Sequence, residues 1–116
     1  KWVIKTLDGV KLDFPIAFDW ENWQYIREYE ISLYDLSSAY LTFANYIEEH
    51  GYKAMLYGSK YYLENMWMDK GDYPVWLAHY TQKTSYASDY IMWQFSQIGE
   101  IDGISSDVDL NVFYIK

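Results

Sequence analysis

Residues 14–21 read Phe14-Pro15-Ile16-Ala17-Phe18-Asp19-Trp20-Glu21, an apolar run that ends in two carboxylates one residue apart. Side chains alternate between the two faces of a β-strand, so Ala17, Asp19 and Glu21 are predicted to share one face. An apolar strand with acids at its carboxyl end is typical of a barrel strand that delivers catalytic groups. Asp19 and Glu21 are therefore the first candidate catalytic residues.

The acidic pair is a weak motif when it is taken alone. With 17 Asp and Glu residues in the chain, an Asp-x-Glu is expected by chance roughly 0.6 times. Two acids at a strand end can equally form a solvated entry to a loop. The rest of the sequence has to distinguish these two interpretations.

The composition predicts one folded domain with a high aromatic content. A chain of 116 residues can form a single domain with a core, and a hydrophobic share of 51% argues against disorder. Aromatic residues make up 22% of the chain, mostly Tyr and Trp. These side chains join a flat apolar face to a polar edge, which suits sugar stacking and core packing alike. Composition leaves both uses open.

Charge and cysteine content narrow the range of partners. The net charge is −8 and the nine Lys and Arg residues are scattered, which argues against a nucleic acid partner. Without cysteine, neither a disulfide framework nor a thiolate metal site is predicted. No apolar run approaches the roughly 20 residues of a membrane span, so no membrane partner is expected. Because the chain begins at Lys1 without a Met, we expect it to be part of a longer polypeptide.

The first half of the chain begins with a short helix, a strand and a loop. Residues 2–7 have the apolar spacing of the end of a helix, and Asp8-Gly9 closes it. The strand at 14–21 follows after a short connection. Residues 22–30 are polar and aromatic without a period, which predicts a loop after the strand's carboxyl end.

Two helices are predicted next, with a strand between them. Apolar residues recur every three or four positions over 33–47, Ser32 provides the cap, and Gly51 follows the end of the helix. A short strand is predicted at 53–57, and Ser59 caps the second helix. The inward stripe of that helix is predicted to be Tyr62, Leu63, Met66 and Trp67.

The second half is predicted to be mostly β-structure. Strands are expected at 75–81, 91–96 and 107–114, without a helix among them. Five strands in this arrangement do not close a sheet, so an isolated half-barrel would expose its edges and an apolar face. The pattern therefore predicts that something else covers the open side.

Five blocks of the sequence resemble, in order, those of a known family. The blocks are Phe18-Asp19-Trp20-Glu21, Met55-Leu56-Tyr57-Gly58-Ser59, Pro74-Val75-Trp76-Leu77-Ala78-His79-Tyr80, Met92-Trp93-Gln94-Phe95, and Gly103-Ile104 leading to Val108-Asp109-Leu110-Asn111-Val112-Phe113. Their order and spacing resemble glycoside hydrolase family 25, the Chalaropsis-type lysozymes. The resemblance covers nearly all of the chain but only the later part of that domain.

The resemblance implies an α/β fold that is a partial TIM-like barrel. The family's barrel has five β/α units and three further strands, and this chain would supply strands 4 to 8 of that modified (β/α)5(β)3 barrel. Residues 1–116 would then be the C-terminal portion of one family 25 catalytic domain.

The resemblance also implies an activity. The family comprises N-acetylmuramidases, which cleave the β-1,4 bond between N-acetylmuramic acid and N-acetylglucosamine in peptidoglycan. Peptidoglycan glycan strands would be the partner, and the protein would be secreted, located in the cell wall, or a phage-encoded endolysin. No metal and no organic cofactor are implied, which fits the lack of a His or Cys ligand cluster in the sequence.

Within the resemblance, Glu21 corresponds to the general acid and Asp19 to its ionised companion. A neighbouring carboxylate and a partly apolar site would help to keep the acid protonated. Both residues leave one strand, with Cα atoms about 6.6 Å apart, so they do not simply flank one bond. This favours a substrate-assisted route, in which the 2-acetamido oxygen attacks the anomeric carbon. Asp19 would orient that acetamido group, and Glu21 would act as acid and then as base.

Five further residues fall at positions that line or border the family's groove. They are Tyr57, Trp76, Tyr80, Trp93 and Asp109. Substrate contact is favoured for Tyr80 and Asp109, whereas core packing is favoured for Trp76 and Trp93. Gln94 is expected to be a hydrogen-bonding residue of the core or the rim.

The chain lacks part of the constellation that the resemblance implies. The family also uses acids on its first and third strands, and nothing in this sequence stands in for them. We therefore expect the 116-residue fragment to have low activity or none. The alternative is a non-catalytic wall-binding or assembly module, because stacking survives without those acids whereas turnover does not. Self-association, or pairing with the missing N-terminal half, is compatible with either function.

Overall fold

The computed structural model describes residues 1–21 and 31–114. Within these ranges the chain forms three helices: α1 (Trp2–Leu7), α2 (Leu33–Glu49) and α3 (Lys60–Asn65). The same ranges contain five strands: β1 (Ile16–Asp19), β2 (Ala54–Ser59), β3 (Val75–Ala78), β4 (Met92–Gly99) and β5 (Val108–Phe113). The loop predicted at 22–30 lies outside the described residues.

The five strands form one sheet whose strand order follows the chain, β1-β2-β3-β4-β5. β1 to β4 are parallel, and β5 is antiparallel to β4. Parallel neighbours need crossover connections on one side of the sheet, and α2 and α3 supply two of them. β1 and β5 are therefore the two edges of the sheet.

The sheet curls strongly enough to bring these two edges together at one end. Phe14 lies two residues before the start of β1, and Phe113 is the last residue of β5. Their rings meet edge to face with centroids 4.8 Å apart. Strands that are four positions apart in a flat sheet would be roughly 19 Å apart. The fold is thus a mixed α/β structure with a curled, five-stranded half-barrel sheet, in agreement with the predicted fold class.

Local sequence explains where the helices begin. Ser32 Oγ accepts a hydrogen bond from the Asp35 N–H at 2.9 Å, and Ser59 Oγ accepts one from the Tyr62 N–H at 3.3 Å. Each bond satisfies an N–H group that has no partner within its own helix. Both predicted caps are confirmed. After α2, Gly51 adopts a φ of 85°, a conformation that favours glycine.

The main hydrophobic core lies between the helices and the convex face of the sheet. Its largest fully buried side chains come from α2, β2, α3 and β3, and they are Tyr40, Ile47, Leu56, Leu63 and Leu77. The predicted apolar stripe of α2 therefore packs as expected. Because the helices occupy the convex face, the concave face stays open.

The strand ends differ from the predicted ones because they depend on pairing partners. β1 ends at Asp19, so Glu21 lies two residues beyond the strand. β3 ends at Ala78, since its ladder with β4 stops there. β4 continues to Gly99, where it pairs with Val108 of β5. A sequence pattern does not contain these ladder lengths.

The second predicted helix is also shorter than its apolar stripe suggested. α3 ends at Asn65, and Met66 is the residue that caps it. Trp67 nevertheless packs in the core from beyond the helix. No helix in residues 1–21 and 31–114 combines the length and the apolar character that crossing a membrane requires.

Candidate functional site

A hollow of about 390 Å³ opens on the concave face of the sheet, towards the carboxyl ends of the parallel strands. We call it the acidic hollow. It is lined by Ala17, Asp19, Glu21, Tyr57, Trp76, Gln94 and Asp109. Five of the seven predicted site residues are therefore brought together here.

Strand register explains why these side chains share one wall. Asp19 is the register partner of Tyr57, Tyr57 that of Trp76, and Ala78 that of Gln94. Register partners in a parallel sheet point to the same face, and so do residues two apart on one strand. An acid, a phenol, an indole and an amide therefore lie side by side.

Two residues complete the acidic hollow from the edges of the sheet. Ala17 precedes Asp19 by two residues on β1, and its small side chain leaves space beside the carboxylate. Asp109 lies on β5, at the opposite edge, and contributes a third carboxyl group. The curl of the sheet makes residues from the two edges line one hollow.

The surroundings of Asp19 oppose its ionisation. Burial is the first cause that raises the pKa of Asp19, and the charge of Glu21 is the second. Asp19 was expected to be the ionised member of the pair. The residue is exposed at the end of β1, and its carboxyl group is harder to ionise than that of an aspartate in open solvent, so its ionised role stays a prediction.

Gln94 accepts hydrogen bonds from two tyrosines. Its amide is buried, with 3% of the residue exposed. Oε1 accepts the Tyr57 hydroxyl at 2.5 Å and the Tyr80 hydroxyl at 3.2 Å. Burial raises the pKa of Tyr57, and the neighbouring Tyr80 raises it further, so the Tyr57 phenol stays neutral.

Trp76 lines the acidic hollow. Its ring meets that of Tyr57 in a T-shaped contact with centroids 4.6 Å apart. Its indole Nε1–H donates to Asn111 Oδ1 at 2.8 Å. Core packing was favoured for this residue, but its ring lies on the concave face and is held by β2 and β5.

Tyr80 borders a second hollow next to the first. This hollow has a volume of about 480 Å³ and shares Glu21 and Tyr57 with the acidic hollow. Its aromatic side chains are Trp20, Tyr57, Tyr61, Tyr62 and Tyr80. We call it the aromatic hollow. The two hollows are adjacent and share the Glu21 carboxylate, so they can hold two neighbouring units of a polymer.

Trp93 points away from both hollows. It packs against the main core, and its Nε1–H donates to the His79 carbonyl at 2.9 Å. It follows Met92 and precedes Gln94 on β4, so alternation places it on the convex face. Core packing was favoured for Trp93, and its side chain does pack against the core.

Asn111 is a site residue that the sequence prediction missed. It follows Asp109 by two residues on β5 and is the register partner of Gln94. The period of two would have placed it on the same face as Asp109. Its bond to Trp76 spans from β5 to β3, however, and only the curl of the sheet makes that reach possible.

The described ranges hold no group of three or more His, Cys, Asp and Glu side chains that could bind a metal ion. The three carboxylates of the acidic hollow do not form such a group. What the hollow offers chemically is carboxyl groups for proton transfer and charge stabilisation, beside aromatic walls for stacking.

The half-barrel and its acidic hollow define the class of this protein. The model of the family described as Glycosyl hydrolases family 25 matches residues 1–104. The chain belongs to this family, and the family assignment made from the five sequence blocks is confirmed.

Particular relatives fall within this class. The chain is 31% identical over 114 residues to the uncharacterized protein YegX of Escherichia coli, covering 95% of this chain and 40% of that protein. It is 30% identical over 110 residues to the autolytic lysozyme of Clostridium acetobutylicum, covering 93% of this chain and 32% of that protein. The chain thus spans less than half the length of these curated relatives.

Two solved structures are similar to the half-barrel. The spore cortex lytic enzyme SleM of Clostridium perfringens matches with a TM-score of 0.55 and 25% identity, over 70% of this chain and 32% of that chain. The CTP1L endolysin matches with a TM-score of 0.50 and 26% identity, over 66% of this chain and 29% of that chain. Both resemblances cover about a third of the larger protein.

Proposed function

We propose that this chain is part of a peptidoglycan hydrolase, an N-acetylmuramidase that cleaves the β-1,4 bond between N-acetylmuramic acid and N-acetylglucosamine. Residues 1–116 would form the C-terminal portion of one catalytic domain and supply strands 4 to 8 of its barrel. The relatives named as a lysozyme, an endolysin and a spore cortex lytic enzyme support this activity. They also support action at a bacterial cell wall, by a secreted protein or a phage-encoded endolysin.

The observation that carries the proposal is the gathering of carboxyl groups and aromatic rings in the acidic hollow. Asp19, Glu21 and Asp109 line one cavity with Tyr57 and Trp76. Sugar rings stack on aromatic faces, and glycosidic bonds are cleaved by carboxyl groups. A hollow with both features on the concave face of a half-barrel fits glycan cleavage.

In this proposal Glu21 is the general acid and then the general base. It lines both hollows, so a bond between two sugars in adjacent hollows would lie beside it. Its carboxyl group protonates the leaving oxygen, and its carboxylate later activates water. Tyr57 and Trp76 bind and orient the sugar in the acidic hollow, while Tyr80 contacts the sugar in the aromatic hollow.

Asp19 assists in this proposal through the substrate. Its side chain lies on the face that Ala17 keeps open, so the 2-acetamido group of the sugar can approach it. Burial disfavours the charged form of Asp19. A hydrogen bond that the acetamido N–H donates to the Asp19 carboxylate would stabilise this charged form. The acetamido oxygen attacks the anomeric carbon, and water then opens the cyclic intermediate.

The experiment measures reducing ends released from purified peptidoglycan, together with peptidoglycan pull-down, for the 116-residue chain and its Glu21→Gln variant. We expect binding by both chains and slow release by the parent chain alone. Binding without any release that depends on Glu21 would favour the wall-binding module. Robust lysis by the parent chain would contradict the expectation that the fragment is poorly active.

A further inference from the structure

The buried amide of Gln94 lies between the two hollows. Gln94 lines the acidic hollow, and its Oε1 accepts the hydroxyl protons of Tyr57 and Tyr80. Tyr57 lines both hollows, and Tyr80 lines the aromatic hollow. One side chain on β4 thus contacts two groups that face the volume where a glycan would bind.

Hydrogen-bond chemistry fixes what this arrangement presents to a ligand. An amide oxygen has two lone pairs and can accept two protons, whereas a phenol has one proton to donate. Once that proton is donated to Gln94, the phenolic oxygen has only lone pairs left. Each tyrosine can then only accept hydrogen bonds from a ligand.

The environment keeps the Tyr57 phenol in the form that this arrangement requires. Burial, Tyr80, Glu21 and Asp19 all raise the pKa of Tyr57. Around neutral pH Tyr57 therefore retains the proton that it donates to Gln94. The backbone of Gln94 is fixed against the end of β3, since its main-chain carbonyl accepts the His79 N–H at 3.0 Å.

We propose that Gln94 is a positioning residue that accepts a hydrogen bond from each of the two phenol hydroxyls. Tyr57 and Tyr80 then face the hollows purely as acceptors for N–H and O–H groups of the glycan. Sugar hydroxyls and the acetamido N–H are such donors. Tyr57 is thereby excluded as the proton donor to the leaving oxygen, which leaves that task to Glu21. The inference deepens the proposed function and rests on it for the identity of the ligand.

The opposite arrangement makes a distinguishable prediction. If the Gln94 Nε2–H groups donated to the phenols, each tyrosine would instead donate its proton into the hollows. Phenol protons that point into the hollows would exchange freely with water, whereas phenol protons held by the buried Gln94 oxygen are protected from exchange. The exchange rates of the hydroxyl protons therefore distinguish the two arrangements.

The test is the rate at which the tyrosine hydroxyl protons exchange with water, measured by NMR in the 116-residue chain without ligand. Tyr57→Phe and Tyr80→Phe identify the two signals. In Gln94→Leu we expect both hydroxyl protons to exchange about tenfold faster than in the parent chain or more, because they lose the acceptor that holds them. Slower exchange, or no change, would overturn the proposal. Gln97→Leu, an exposed position on the same strand, is the matched control and should leave both signals unchanged.

A measurement on the parent chain covers the case in which Gln94→Leu does not fold. Hydroxyl protons donated to a buried amide exchange slowly, so Tyr57 and Tyr80 should show resolved hydroxyl resonances close to the Gln94 side chain. Freely exchanging phenol protons beside protected Gln94 Nε2 protons would contradict the proposal. Neither measurement uses substrate, so this proposal can fail while hydrolysis stands, and hydrolysis can fail while the hydroxyl protons exchange as expected.

Discussion

Asp19 and Glu21 leave the same segment but meet different surroundings. Asp19 is the last residue of β1 and lines only the acidic hollow, whereas Glu21 lies beyond the strand and lines both hollows. Burial and the charge of Glu21 raise the pKa of Asp19. At the residue scale, the two acids therefore differ in the hollow from which a ligand can reach them.

The raised pKa of Asp19 predicts a pH dependence of stability. The folded state binds the Asp19 proton more tightly than the unfolded state, in which the pKa of this carboxyl group is near 3.8. The parent chain should therefore lose stability as the pH rises from about 3.8 through the folded pKa. Asp19→Asn cannot ionise and should avoid this loss. It should be more stable above that window by less than about 1 kcal/mol, because Asp19 is exposed and solvent screens its charge.

Denaturant unfolding at several pH values measures this difference. Asp102→Asn, an exposed aspartate outside both hollows, controls for the removal of one negative charge. The account is contradicted if Asp19→Asn is no more stable than the parent chain at pH 7, or if the difference between them stays constant down to pH 3.

Individual positions show what the sequence could predict at this scale. Alternation places Asp19 and Trp76 on one face, and Trp93 on the other, without further information. The Trp76–Asn111 bond could not be predicted, because it joins β3 to β5 across a curl that depends on the whole sheet. Nor could the surroundings of Asp19 be predicted, since they depend on the four other strands.

The β4–β5 pair is the least regular element of the sheet. Its ladder shifts register between Gln94 and Ser96, and again between Ser96 and Gly99. Gly99 is buried at the end of β4, and a Cβ there would lie 2.5 Å from Leu110 Cγ. At the element scale, this glycine permits the close approach of β5.

Gly99→Ala should therefore destabilise the chain. The added methyl group would overlap the branched end of Leu110, and such overpacking costs about 1–3 kcal/mol. Denaturant unfolding of Gly99→Ala, Leu110→Ala and the double variant measures the coupling between the two positions. We expect the double variant to be less destabilised than the sum of the single variants. Strict additivity would show that the two side chains do not meet.

Helix starts were predictable, whereas the ends of β3 and β4 were not. Ser32 and Ser59 precede the helices as caps, and this local chemistry is visible in the sequence. The ends of β3 and β4 depend on how far their neighbours pair with them. Pairing length is a property of two strands, so one strand's pattern does not contain it.

At the scale of the whole molecule, closure of the half-barrel depends on its two edges. Phe14 and Phe113 join the edges at one end by an edge-to-face contact. The five-stranded α/β sheet was predictable from strand spacing and family resemblance, but this contact was not. Self-association and pairing with a missing N-terminal half stay predictions.

Phe14→Ala should loosen this closure. An aromatic pair of this geometry contributes about 0.5–1.5 kcal/mol beyond the area that it buries. The free energy of unfolding should fall by at least this amount, and the emission of the tryptophan in the acidic hollow should shift as the sheet opens. Trp2→Ala, which removes a side chain that is 76% exposed, is the control. An equal effect of both changes would argue against closure through Phe14.

The most direct test of the central claim is the rate at which the 116-residue chain and its Glu21→Gln variant release reducing ends from peptidoglycan. If Glu21 is the general acid, the variant should release them about 10²–10⁴-fold more slowly, with pull-down unchanged. Equal and measurable rates in the two chains would contradict the account.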